Sequence, residues 1–520
     1  MSKAIRQHRN RPTILIGTLL LSLMIAVILG EAVRRVLDGY ALNSVALSQR
    51  DQALPTGGNV TANELQAVAE TMIVPGGPGL ELFNDSPPAP ADKPITPLLA
   101  ARAGAAPQSR YHVNFVFNEA FIRGPDAANY IKDDFPEDIF VFTSPDGTSH
   151  PRYRHYPASR LTIGYDTNTQ GWRSKELELD KPRNTIRLVG LGDSTTLHQG
   201  GIEKTYLDFV EHFLQRWADA HGFDVHIETM NTGREAISSE DLKAIFQYEA
   251  LPYEPDYVLF YGLGNQWNIH ELVEFSDDVT GGWSSATSYY QQSALDQLAH
   301  QILAPLIPYS ASAKWIYDRF QADMTDNGGE PRKPKQTWVF PTNMSETKPD
   351  PKDLLANSPN ARMVRDLSEI QQLAKENNAR VFLQTFKYMV YDGMELPLPQ
   401  AAGLFNYLNY GYFPYSYKHL RRAIDYLNRI YVAWAAENDV TLIDVAGQMP
   451  FDHRYFRDAM HNTQTGVKLR AWSVFQEILP QFKADLESGR LPSADRQSIE
   501  KHPFPLIVRT LRKSDILKNR

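Results

Sequence analysis

Two short stretches carry the side chains that acyl transfer needs. Residues 190–196 read Gly190-Leu191-Gly192-Asp193-Ser194-Thr195-Thr196, and residues 458–466 read Asp458-Ala459-Met460-His461-Asn462-Thr463-Gln464-Thr465-Gly466. A serine hydroxyl is a weak nucleophile until a base takes its proton. The imidazole of His461 titrates near neutral pH and can act as that base. The carboxylate of Asp458 can fix the imidazole tautomer and stabilise its cation, and a three-residue spacing lets one loop present both groups. Taken singly, each stretch has a plainer reading. Ser and Thr are common helix caps, and a D-x-x-H segment is equally a surface turn or a pair of metal ligands. The first stretch is not the G-x-S-x-G elbow of the α/β-hydrolases.

Two further segments are candidate helpers. Met230-Asn231-Thr232-Gly233-Arg234-Glu235-Ala236 offers backbone N–H groups, and Gly262-Leu263-Gly264-Asn265-Gln266 offers the Asn265 amide. Both kinds of donor can stabilise a developing oxyanion. Alone, each is only a glycine-containing turn after a strand.

Positioning these groups falls to an alternating pattern between about 185 and 480. Thr185–Leu191, Val225–Met230, Tyr257–Tyr261, Val381–Thr385 and Val440–Val445 read as strands. Between them lie helix faces: Tyr206, Phe209, Val210, Phe213, Leu214 and Trp217, then Leu242, Ile245 and Phe246. Met363, Leu367, Ile370 and Ala374 form another, as do Leu420, Ile424, Leu427, Tyr431 and Trp434; a last helix opens near Gly466. Apolar spacing of three and four marks one side of a helix. Strand–helix alternation predicts a parallel sheet covered on both faces, with ligands beyond the carboxyl ends of its strands. All four segments fall at that edge.

Their order and spacing resemble the SGNH, or GDSL-type, hydrolase superfamily over roughly 185–480. A weaker echo from about 150, with Asn168-Thr169-Gln170-Gly171-Trp172-Arg173 and Lys181-Pro182, is similar to the lead-in of membrane-anchored bacterial members. The resemblance implies a three-layer α/β/α flavodoxin-like fold with a parallel sheet. It makes Ser194 the nucleophile, His461 the general base and acid, and Asp458 its orienter. The oxyanion hole would use the Ser194 N–H, the Asn265 amide and a backbone N–H from the second segment. Counting from Asn231, Ala236 stands at the family glycine, with Gly233 the nearby alternative. Leu263 and Gln266 depart from the usual glycine and aspartate of the third segment.

An insertion at about 270–360 has Trp267, Trp283, Tyr289 and Tyr290 at its start. It could form a lid or a carbohydrate-facing wall, although aromatics in such a place more often pack locally. Asp193 and Trp267 are the candidate substrate-binding residues.

The 520-residue chain carries 53 Lys+Arg against 61 Asp+Glu, a formal charge of −8, which argues against a nucleic-acid binder. Hydrophobic content of 42% can fill a sizeable core and excludes a wholly disordered chain. The absence of cysteine removes disulfides, thiolate metal sites and a Cys nucleophile. There is no G-x-G-x-x-G opening a helix and no P-loop lysine, so no cofactor and no metal are expected.

Near the N-terminus, Lys3, Arg6, Arg9 and Arg11 precede an uncharged run, Thr13 to Gly30, followed at once by Glu31, Arg34 and Arg35. The run is at the lower edge of a membrane-spanning length, and the basic residues in front favour the cytoplasm. No A-x-A site follows directly, so a retained signal-anchor is expected over a cleaved signal. The expected organisation is a cytoplasmic tail (1–12), a transmembrane signal-anchor (13–33), a Pro/Gly/Ala-rich tether (34–110), a lead-in (111–184), a hydrolase-like domain (185–485) carrying the insertion, and a surface tail (486–520). Such a chain would sit in the inner (cytoplasmic) membrane as a single-pass protein, with its catalytic domain periplasmic or extracellular. Its expected partners are an acylated small molecule, lipid or glycan, the membrane through the N-terminal helix, and a cell-envelope complex. Three functions are compatible: a serine esterase, an O-acetyltransferase of a cell-envelope polysaccharide using the same residues, and a non-catalytic binding module.

Overall fold

A computed structural model describes residues 11–37, 42, 60–88, 115–124, 127, 131, 137–158, 165–198, 201–266, 269–275, 302–306, 309–316, 336–357, 361–394, 404, 407–408, 412, 415–493 and 509–518. The chain divides into two units, Met1–Pro55 with Phe275–Lys335, and Thr56–Glu274 with Gln336–Arg520.

The second unit holds the chemistry-bearing stretches. Its lead-in forms β1 (Phe115–Asn118), β2 (Asp138–Phe142) and β3 (Tyr153–His155). Next come β4 (Thr185–Gly192), β5 (His226–Asn231) and β6 (Tyr257–Tyr261), then β7 (Val273–Phe275) and β8 (Gln336–Trp338) as a separate pair. Then follow β9 (Arg380–Gln384), β10 (Thr441–Ile443) and β11 (Arg509–Arg512).

The main sheet has the order β10-β9-β6-β4-β5, and every neighbouring pair is parallel. Numbered by its own strands, this is 2-1-3-4-5, the order of flavodoxin-like sheets. The order reverses between the first strand, β4, and the third, β6, and ligands bind at such a switch point. Ser194 lies two residues beyond the end of β4. All eight residues of β4 and all five of β6 are buried, because helices cover both faces of the sheet and leave no polar side. Tyr206–Ala220 packs on Gln464–Glu487, while Ser239–Ala244 packs on Ala361–Glu376. The expected apolar stripes are the buried ones: Phe213 and Leu214, Leu367 and Ile370, and, in the helix Tyr417–Glu437, Ile424 and Tyr431 are all within 2% of full burial.

Two parts of the expected organisation need correction. Residues 60–88, placed in the tether, hold a helix, Ala62–Thr71, opened by a Thr61/Glu64 capping box. In a capping box each side chain satisfies the other residue's backbone N–H. This stretch is anchored within the second unit by apolar burial of Ala69, Met72 and Phe83. Trp472 Nε1 donates to the Ala69 carbonyl at 3.0 Å, and its ring meets Phe83 edge-on at 5.4 Å. The C-terminal residues read as a tail contain β11, which pairs antiparallel with β2 at the edge of a second, mixed sheet of order β11-β2-β1-β3.

The first unit contains the helix Arg11–Leu37. At about 1.5 Å per residue, its 27 residues reach about 40 Å. Among the described residues no helix is long and apolar enough to cross a membrane; the side chains of 11–21 and 23, which carry most of the uncharged run, lie outside them.

Candidate active site

Tight backbone packing places Ser194. At Gly192 an added Cβ would lie 2.2 Å from Thr196 Oγ1 and 2.3 Å from the Tyr261 carbonyl, so only glycine lets β4 turn this sharply beside β6. The helix that follows is a single turn, Ser194–Leu197, ended by His198 in the left-handed region at φ 54°. A longer helix does not begin until Tyr206. A single turn closes only the Ser194 carbonyl from within and leaves the other three without local partners, and these residues are buried, so their donors must come from elsewhere.

Each of the four carbonyls has one. Ser194 O accepts from the His198 N–H at 3.0 Å. Thr195 O accepts from Arg470 Nη1 at 2.7 Å, Thr196 O from Asn231 Nδ2 at 3.0 Å, and Leu197 O from Arg173 Nη1 at 3.2 Å. Arg470 is fully buried. Its guanidinium lies 3.5 Å from the Tyr261 ring centre and 3.9 Å from that of Tyr206, so aromatic faces replace the hydration of its charge.

Asp458 and His461 arrive on a loop closed at its base by the Phe456–Asn462 bridge and by the Arg457 N–H to His461 O bond at 2.8 Å. Asp458 Oδ1 accepts the Met460 N–H at 2.9 Å and the His461 N–H at 2.8 Å. Its Oδ2 lies 2.7 Å from His461 Nδ1, and His461 Nε2 lies 2.8 Å from Ser194 Oγ. A carboxylate only accepts, so Nδ1 carries the proton and Nε2 is left to accept from the serine hydroxyl. The three side chains form one hydrogen-bonded line across 264 positions of sequence, from Ser194 to Asp458. Ser194 is 6% exposed and the His461 side chain 19%, which leaves a narrow approach.

Burial would push the His461 imidazole down. The charge and hydrogen bond of Asp458, with a smaller pull from Asp193, outweigh burial and raise it above its ordinary value. Burial pushes Asp458 up, and His461 together with the two backbone N–H groups brings it below the usual carboxylate range. A base held ionisable beside a serine, oriented by an ionised carboxylate, can relay a proton to and from a reacting oxygen.

The second segment folds against the serine turn. At Gly233 an added Cβ would meet Leu197 N at 2.5 Å. The Gly233 N–H is already given to Asn231 Oδ1 at 3.1 Å, which removes it as an oxyanion donor. Ala236 adopts φ 53°, the left-handed region where glycine is at home, in keeping with its alignment to a glycine position. The Asn265 amide is exposed and donates to the Ile237 carbonyl at 3.3 Å, so the two candidate donors, Ala236 N–H and the Asn265 side chain, sit on adjoining turns.

Asp193, expected at the substrate, is turned inward. It is 2% exposed, and burial pushes its carboxyl up, against the hydrogen bonds from Thr195. Its Oδ1 accepts from the Thr195 N–H and hydroxyl at 2.9 and 2.6 Å, and its Oδ2 from the Gly264 N–H at 3.1 Å. As cap of a one-turn helix it must face inward, and it thereby ties the serine turn to the turn carrying Asn265. Trp267 lies outside the described residues.

Several positioning residues escape a reading of motifs. Arg173, Asn231 and Arg470 hold the serine turn. Strand β3 clamps the 231–237 turn: Tyr153 Oη donates to the Glu235 carbonyl at 2.6 Å, His155 Nε2 meets Glu235 Oε2 at 2.9 Å, and Arg234 Nη1 donates to Tyr153 O at 3.0 Å. Tyr407 stands edge-on to the His461 ring at 6.5 Å and donates to Met460 Sδ at 3.5 Å. The aromatic signal of Tyr407 was present in the sequence, but nothing local aimed it at His461.

The strain at Ala236 is testable. A left-handed L-residue costs about 1–2 kcal/mol, and glycine gives back about 0.5–1 kcal/mol in unfolded-chain entropy. Ala236→Gly is therefore expected to melt at the same temperature as the natural chain or slightly above it. A fall of about 1–2 °C or more in a thermal melt, roughly 1 kcal/mol or more for a unit of this size, would show that the methyl group packs to advantage.

No protein-family model matches the chain, and no curated protein matches it. The solved structures that match are consistently acylhydrolases, lipases and acetyl xylan esterases. A lipase/acylhydrolase from Enterococcus faecalis is 14% identical, covers 57% of this chain and 96% of its own, and has a TM-score of 0.30. An acetyl xylan esterase from Geobacillus stearothermophilus is 14% identical over 58% of this chain and 97% of its own, with a TM-score of 0.29. A GDSL-like lipase from Bacteroides thetaiotaomicron is 11% identical over 57% and 88%, with a TM-score of 0.26.

Proposed function

We propose that the chain is a serine ester hydrolase of the SGNH type, tethered to the membrane by its N-terminal helix with the catalytic unit on the extracytoplasmic side. The observation that carries the catalytic reading is the unbroken Asp458–His461–Ser194 line, at 2.7 and 2.8 Å. His461 Nε2 takes the Ser194 proton as Oγ attacks the acyl carbonyl. Charge develops on the carbonyl oxygen, where the Ser194 and Ala236 N–H groups and the Asn265 amide stabilise it. The imidazolium, held by Asp458, then protonates the leaving alcohol. Water, deprotonated by the same imidazole, releases the acid and restores the serine. The tether is supported by the uncharged Thr13–Gly30 run lying within one continuous helix.

The test is release of acid from a short-chain aryl ester by the purified full-length chain, with no glycan acceptor present. Steady turnover is expected. Covalent acylation that stalls without an acceptor hydroxyl would make the protein an acyltransferase. Failure of a folded sample to react with a fluorophosphonate would make it a binding module. The pH profile follows from the raised imidazole. Only neutral His461 can accept the serine proton, and protonation removes it as pH falls through its pKa. Because that pKa lies above the ordinary 6.5, kcat/KM for a neutral ester should fall on acidification with its inflection above 6.5. A profile flat down to pH 5.5 would exclude His461 as the base.

A further inference from the structure

The helix Arg11–Leu37 and the inserted residues 302–306 and 309–316 belong to one unit and are locked together at one level. The Glu31 carboxylate accepts from Ser310 Oγ at 2.8 Å, the Ala311 N–H at 2.8 Å and the Ser312 N–H at 3.0 Å. It thereby caps the helical turns at 311–316. Arg35 pairs with Glu31 at 2.9 Å, donates to the Tyr309 carbonyl at 2.6 Å, and is only 7% exposed. The Arg34 guanidinium lies 5.3 Å from the Trp315 ring centre. Glu31, Arg34 and Arg35 are the first charged residues after the uncharged run. The inserted segment is therefore pinned where the apolar stretch of the anchor ends.

What this segment turns outward is apolar. Ile302 is 57% exposed, Leu306 48%, Tyr309 55%, Trp315 41% and Ile316 38%. On the anchor itself Ile25, Ile28, Leu29 and Val33 are exposed by 47–60%, so the two surfaces adjoin through the Glu31–Arg35 junction. Tyr and Trp are the side chains that favour the boundary between hydrocarbon and water. Large apolar residues around them, at the charged end of a membrane-length run, match a segment lying in the bilayer surface.

We propose that residues 302–306 and 309–316 form a second, non-spanning membrane contact, seated in the lipid headgroup layer beside the point where the anchor leaves the bilayer. The occupant of this face is the phospholipid surface itself. The inference rests on the membrane tether proposed above and is independent of the ester chemistry. Its effect is to hold the described part of the insertion at the membrane beside the anchor.

The chain has no cysteine, so single-cysteine variants can each carry one nitroxide label. Ile25→Cys, Leu306→Cys and Ile316→Cys in the full-length chain would be reconstituted in phosphatidylcholine vesicles. Label depth is read from collisions with oxygen and with a water-soluble nickel chelate, against labelled free cysteine. The expected result is hydrocarbon depth at 25, and at both 306 and 316 a shallower position within about 5–10 Å of the headgroup boundary. Nickel access at 306 and 316 equal to that of free cysteine, with 25 still in hydrocarbon, would overturn the inference and leave the tether standing. Shielding of both from oxygen and nickel alike would overturn it in favour of a protein cover. Nickel access at 25 would overturn tether and inference together.

Discussion

Ser194→Ala is expected to abolish ester turnover and fluorophosphonate labelling together, while leaving the fold in place. Removing a triad nucleophile costs about a million-fold in turnover, and what survives comes from binding and oxyanion donors alone. The structural cost is small. The hydroxyl meets only His461 Nε2 within the described hydrogen bonds, so alanine forfeits one bond worth about 1 kcal/mol. The carbonyl of residue 194 keeps its His198 partner, and the four-point grip on the serine turn falls on backbone carbonyls, which the substitution leaves in place. An unchanged melting temperature beside lost turnover is therefore the expected pair of readings. Turnover within a hundredfold of the natural chain would remove Ser194 from the chemistry.

Asp458→Asn has the second largest expected effect, and its direction follows from the loop. One carboxylate oxygen of Asp458 accepts two backbone N–H groups, from Met460 and His461. In an asparagine at this position the amide oxygen must stay on those N–H groups, because the amide NH2 cannot accept them. The NH2 then faces His461 Nδ1 where the second carboxylate oxygen had been. Nδ1 is forced to accept, the ring proton moves to Nε2, and the nitrogen facing Ser194 can no longer act as base. A loss of about 10⁴ in kcat is expected for such a tautomer reversal, with the loop and the fold preserved. The acid limb of the pH profile should also shift downward, since the charge that raises His461 is gone. A kcat within tenfold of the natural chain, or an unmoved acid limb, would show that Asp458 does not orient the base.

The sheet was readable because its strands are buried on both faces. A strand such as Tyr-Val-Leu-Phe-Tyr at 257–261 is an unbroken apolar run bounded by Pro255-Asp256 and Gly262, and the others are found within about a residue or two of where such runs place them. Ser194, His461 and Asp458 were readable as a candidate site because ester chemistry demands those residue types. Their supports were not. The need for Arg470, Arg173 and Asn231 arises only because His198 stops the serine helix after one turn, and no local pattern announces that stop. Asp193 was misread for the same reason: a carboxylate beside a serine suggests a substrate contact until the short helix makes it a cap. Strand β11, Arg-Thr-Leu-Arg, has a single apolar residue and exists through pairing with a strand more than 350 positions away.

The donors that complete the serine turn sit at positions 173, 198, 231 and 470. They come from the lead-in, the turn itself, the end of the second strand of the main sheet and the last long helix. No contiguous fragment shorter than residues 173–470 holds them all. A nascent or partly opened chain thus carries an alcohol with no fixed bearing. On the proposed ester chemistry, a chain lacking the last long helix would present the Ser194 turn without the Arg470 donor to the Thr195 carbonyl.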